Sequence, residues 1–178
     1  GSVISRPLVL ASMLCAATAL AAQEPTRPPL LLVPRADTVF VYVDVPADAG
    51  GFVVYRAVVG DASARITAEP VGREREPAMA AGILGGDLSM AMRALRASDE
   101  AELFRRLRSD RFGAAVLSLL SRNVATVLGR LYVDAGLTPG TSYEYRVVFT
   151  DAAGREGERA LTARVLVRDP TLAPPGQA

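Results

Sequence analysis

The spacing of apolar residues changes period twice along this chain, and that change constrains the fold more than any other feature of the sequence. Val39, Val41, Val43 and Val45 alternate with Phe40, Tyr42 and Asp44, the period of two that turns one face of a strand inward and the other toward solvent. Pro46, Asp48, Gly50 and Gly51 mark a turn, and residues 52–59 (FVVYRAVV) read as a second strand. Gly60 and Asp61 turn the chain into a shorter third strand over 65–71 (RITAEPV). Pro70 predicts an edge position for it, because proline has no N–H to give to a ladder. The period of two returns at 131–133, at 142–150 (SYEYRVVFT) and at 161–167 (LTARVLV).

Between these stretches the period lengthens. Residues 72–77 (GREREP) form a charged connector, and 78–130 are rich in alanine, leucine and arginine. Asp87 is placed to cap a helix through Leu95. Ser98 is placed to cap a second, with Asp99, Glu100 and Glu102 in its first turn and Arg105, Arg106 and Arg108 in its last, matching the helix dipole. Ser109 then caps a longer helix. Its face collects Phe112, Val116, Leu119, Leu120, Val124, Val127 and Leu128 at spacings of mostly three and four. Residues 72–130 are thus expected to be a helical insertion between two runs of strand, 30–71 and 131–168.

The missing residue types limit the chemistry. The sequence has no histidine, no tryptophan and no lysine, and a single cysteine, Cys15. Without histidine there is no imidazole acid or base and no Ser-His-Asp triad. Without lysine there is no Schiff base and no lysine-bearing phosphate loop. One cysteine can form neither an internal disulfide nor a zinc site of cysteines and histidines. No Asp or Glu pair has a spacing that demands a metal or catalysis, so no catalytic, cofactor-binding or metal-binding residue is assigned. A net charge of +1 gives no strong field to draw nucleic acid. The expectation is a protein that is not an enzyme and has no cofactor.

Arg6 precedes an apolar run over 8–22, interrupted only by Ser12, Cys15 and Thr18 and ending in small residues. This order reads as a secretory signal peptide cleaved after Ala21. The alternative is a retained membrane anchor over 1–22, although the run is shorter than the ~20 residues of a spanning helix. Both readings put the rest of the chain on the periplasmic or extracellular side, with membrane contact through 8–22 in the second. Residues 23–29 read as a proline-rich linker and 169–178 as a flexible tail.

The segment Leu137-Thr138-Pro139-Gly140-Thr141-Ser142-Tyr143-Glu144-Tyr145-Arg146-Val147, followed by Asp151 and Gly154, resembles the E–F corner and F strand of fibronectin type III domains. That resemblance implies a mainly-β sandwich of about seven strands. It also implies a tyrosine corner at Tyr143, whose hydroxyl bonds to nearby backbone, with Gly140 supplying the turn. Residues 28–32, 38–46 and 51–56 then correspond to strands A, B and C, and 161–167 to strand G. Two departures stand out. The family's strand-B tryptophan falls near Val43, where aliphatic packing must replace it, and the stretch between strands C′ and E is expanded over about 72–130.

Domains of this family are spacers, adhesive modules and assembly parts. The implied function is therefore an accessory subunit of a membrane or envelope protein complex, with other proteins as partners. The insertion is the candidate contact, with Met79, Ile83, Leu88, Met92 and Phe104 as apolar anchors and Arg105 and Arg108 on the rim. The densest basic cluster, Arg105, Arg106, Arg108 and Arg111, reads either as a solvated helix face or as a site for an acidic partner or lipid headgroups. A competing account packs the insertion onto the sandwich as a cap, with Phe112, Leu119 and Val127 in the core. An alternative function is a carbohydrate or small-ligand module, which would need Tyr42, Tyr55, Tyr132, Tyr145 and Phe149 to form an aromatic platform.

Overall fold

The computed structural model describes residues 28–168. The apolar run at 8–22, the linker as far as residue 27 and the tail from residue 169 lie outside the described residues. Seven strands form two antiparallel sheets. The first sheet runs β1 (Leu30–Arg35), β2 (Thr38–Val43) and β5 (Leu131–Asp134). The second runs β4 (Ala64–Arg65), β3 (Gly51–Val58), β6 (Ser142–Thr150) and β7 (Glu156–Leu166). The alternation read in the sequence sets the packing. Val39, Val41 and Val43 of β2 face Phe52 and Val54 of β3 and Tyr145, Val147 and Phe149 of β6 in one core. Valines fill the β2 positions where the resemblance expects a tryptophan.

The third strand is shorter than its alternation predicts. Only Ala64 and Arg65 pair with β3. Next, Val54 N–H donates to the Thr67 hydroxyl at 3.1 Å, so a side-chain oxygen takes the place of the carbonyl that would continue the ladder. The segment touches β3 once more, where Val71 bridges Phe52 just past Pro70.

A buried carboxylate lies between the two sheets. The Asp134 carboxylate, at the end of β5, accepts from Arg56 Nη1 of β3 at 2.8 Å and from the Tyr145 hydroxyl of β6 at 2.6 Å. The three side chains come from both sheets and lock them together. Burial first, and then the hydrogen bond to Asp134, push the Tyr145 phenol well above its ordinary pKa.

Five short helices follow β4: α1 (Pro77–Leu84), α2 (Leu88–Ala94), α3 (Glu100–Ser109), α4 (Arg111–Leu120) and α5 (Arg122–Val127). Pro77 occupies the first turn of α1, where its missing N–H does no harm. Three expected caps shift. Asp99, not Ser98, caps α3 by accepting from Glu102 N–H at 2.7 Å, while the Glu102 carboxylate reaches back to the Ser98 hydroxyl at 2.6 Å. Asp110, not Ser109, caps α4 by accepting from Gly113 N–H at 2.8 Å. Asp87 makes no side-chain cap to α2. Its carboxylate instead accepts from the Ser121 hydroxyl at 2.6 Å and from Asn123 Nδ2 at 3.1 Å.

Ser121 also ends the long helix expected over the second half of this region. It is extended, with φ −134° and ψ 121°, and its hydroxyl accepts from Val124 N–H at 3.1 Å to start α5. The chain turns there.

The helices have a core of their own. Leu84, Leu95, Leu103, Leu107, Leu117 and Val127 are among its members, and it is separate from the sandwich core. The two ends of the helical segment meet. Glu74 N–H donates to Val127 O at 2.9 Å, and a Cβ on Gly129 would lie 2.3 Å from the Gly72 carbonyl carbon. Gly129 also has φ +63°, so a side chain there would meet both strain and a clash. Val43 N–H then donates to Arg130 O at 2.8 Å, tying the returning chain to β2.

Candidate functional site

The five anchors expected on the insertion do not form one exposed surface. Phe104 is buried beside Leu103 and Leu107, because the spacing that brings 103 and 107 inward carries 104 with them. Ile83, Leu88 and Met92 are half-buried and pack on the same helical core. Only Met79 stands well exposed. Of the expected rim, Arg105 is exposed, while Arg108 lays its guanidinium over the Phe104 ring at 5.5 Å and lines a cleft. Arg106, from the same basic cluster, pairs with Glu102 four residues earlier.

A different surface has the properties sought. Helix α4 buries Ala114, Leu117 and Ser118. On its opposite side Phe112, Val116, Leu119 and Leu120 are exposed, Phe112 by 81% and Leu120 by 73%. Their spacing of four, three and one makes a continuous apolar row about two turns long. The helix holds no acidic residue, and exposed Arg111 and Arg122 stand at its two ends. Arg122 is held there by stacking over Phe40 of β2 at 4.8 Å. The sequence placed this row on one face, as observed. The capping account turned Phe112 and Leu119 inward, in one series with Val124, Val127 and Leu128. The turn at Ser121 breaks the phase, so those three enter the core while the α4 row stays outside. The capping account, which put Phe112 and Leu119 in the core, is corrected at both residues.

No family model matches the chain, and a search of curated proteins finds no match. The reading of the site rests on geometry.

At the loop before β6, the Tyr143 hydroxyl accepts from Thr138 N–H at 3.0 Å across five residues. Gly140 has φ +81°, and its N–H donates to Val167 O at 2.6 Å. The Tyr143 hydroxyl and the Gly140 N–H thus brace the loop before β6. The aromatic platform does not assemble. Tyr145 and Phe149 lie in the sandwich core, the Tyr132 hydroxyl donates to Ile66 O, and the Tyr55 hydroxyl is taken by Glu156. Among the described residues, no three His, Cys, Asp or Glu side chains gather to hold a metal. No described helix is long and apolar enough to cross a membrane.

Proposed function

We propose that this is an exported, non-catalytic binding protein, an accessory subunit of a membrane or envelope complex that docks through its helices. In this reading the sandwich is a fibronectin type III-like scaffold. The strand order β1-β2-β5 against β4-β3-β6-β7 supports that assignment, as does the bond from Thr138 N–H to the Tyr143 hydroxyl. With β4 as strand C′ and β5 as strand E, the helices lie between the two.

The observation that carries the function is the exposed row Phe112, Val116, Leu119 and Leu120 on α4. Large apolar side chains clustered on a water-facing helix are unfavourable unless a partner covers them. The row has the form of an interface centre, apolar in the middle and charged at its ends. Arg122 at one end, and Arg111 beside the Asp110 cap at the other, with no acid between, favour a protein partner whose apolar groove has a carboxylate at its border.

The test is co-purification from the native membrane in mild detergent, comparing the full chain with Phe112→Ser/Leu120→Ser. Both side chains are water-exposed, so the melting temperature should stay within about 3 °C, while association with the complex falls at least tenfold. Unchanged association would remove α4 from the interface. Binding of the full chain to protein-free vesicles through the same two residues would make lipid the occupant and contradict the proposal.

A further inference from the structure

A second feature opens beside the N-terminal end of α4 and uses no residue of the apolar row. Where the helices meet one end of the sandwich, a cleft of about 500 Å³ opens. The turn after β2, the connector before α1 and the loop after α5 wall it. An adjoining recess of about 220 Å³ shares Arg73, Arg108 and Arg130 and extends to Arg111. Arg73, Arg75, Arg108, Arg111 and Arg130 line the two spaces, and no aspartate or glutamate does.

Arg56, Arg65, Arg106, Arg155, Arg159 and Arg164 each meet a carboxylate. In the cleft, Arg73, Arg75 and Arg111 have no ion pair among the described residues. The acid next in sequence, Glu74, is turned to backbone and accepts from the N–H groups of Arg75 and Glu76 at 2.8 and 3.0 Å. Three such arginines thus share one concavity in a chain whose net charge is only +1, whereas Arg93 and Arg105, also without an ion pair among the described residues, stand apart on the surface. Low-dielectric walls focus the field of such a cluster and favour an anion inside it. Guanidinium forks match phosphate oxygens in pairs, and always stay charged. The volume suits a small molecule or a headgroup.

We propose that this cleft binds a compact ligand bearing two or more phosphate charges, supplied either as a free phosphate ester or as the headgroup of an anionic lipid. Pyrophosphate is the first probe, titrated calorimetrically into the full chain. The expected result is saturable binding that weakens at least tenfold in Arg73→Ser/Arg75→Ser. It should change less than about twofold in Arg93→Ser/Arg105→Ser, which removes the same charge outside the cleft. Both variants change exposed side chains with no ion pair among the described residues, so matched melting temperatures will separate lost binding from lost folding.

Flotation with cardiolipin vesicles, whose headgroup carries two phosphates, identifies the source. Vesicle binding displaced by pyrophosphate means a headgroup, and pyrophosphate binding without vesicle binding means a free ester. The proposal is overturned if pyrophosphate does not bind, if both double variants lose binding equally, or if citrate binds as tightly as pyrophosphate. Arg73→Ser/Arg75→Ser leaves the α4 row intact, so failure here and failure of docking are distinguishable.

Discussion

At Tyr143 one hydroxyl joins the loop before β6 to the strand itself, accepting from Thr138 N–H while the ring packs in the sandwich core. Tyr143→Phe keeps the ring and removes only the acceptor. Loss of about 1–2 kcal/mol is expected in chemical denaturation, the range for a polar group left without its partner. A variant as stable as the parent would deny the hydroxyl its structural part. This residue was legible because its neighbours form a motif. Asp134 was not. In the sequence it is only an acid after a short strand, and its role depends on Arg56, 78 residues away, and on Tyr145 of the facing sheet. No local pattern announces a contact of that separation.

Among the elements, strands were legible wherever one face enters the core, since burial imposes the period of two. The third strand failed because the Thr67 hydroxyl replaces a ladder carbonyl, which apolar spacing does not register. The starts of α3 and α4 were legible to within a residue. The serines at 98 and 109 gave way to the aspartates that follow them, both ionised oxygens that accept a backbone N–H strongly. The α4 row was found as a face but turned inward in the capping account, because periodicity groups side chains without saying which group is covered.

The start of α3 has a pH signature. Hydrogen bonds from the Ser98 hydroxyl, then the Ser98 N–H, then Arg106 lower the Glu102 pKa from 4.5 to about 2. A folded-state pKa below the unfolded one means the box supports α3 fully above about pH 4.5 and is lost as pH falls toward about 2. Carbon-detected NMR titration should find Glu102 still ionised at pH 3 in the parent and its midpoint raised in Ser98→Ala, which removes the leading cause while the Ser98 N–H and Arg106 remain. An ordinary titration of Glu102 in the parent would contradict the capping box.

For the whole molecule, the arrangement of two cores is what separates scaffold from function. The sandwich core draws on β2, β3 and β6 without needing the helical one, and the helical core includes no strand residue. The ends of the helical segment are joined by the bond from Glu74 N–H to Val127 O, 2.9 Å long. A few residues could close that gap with modest loop entropy. The composition had already excluded histidine and lysine chemistry, and the proposed docking role rests on a surface of the elements that form the helical core. The cleft arginines were scattered over three sequence regions and could not be grouped before the fold brought 73, 108 and 130 together.

The most direct measurement replaces residues 75–126 with a short Gly/Ser linker and compares the product with the full chain by circular dichroism, thermal melting and co-purification with the membrane complex. The account predicts a cooperatively melting β protein that no longer associates. A product that fails to fold would contradict the separability of the two cores, and a folded product that still associates would contradict docking through the helices.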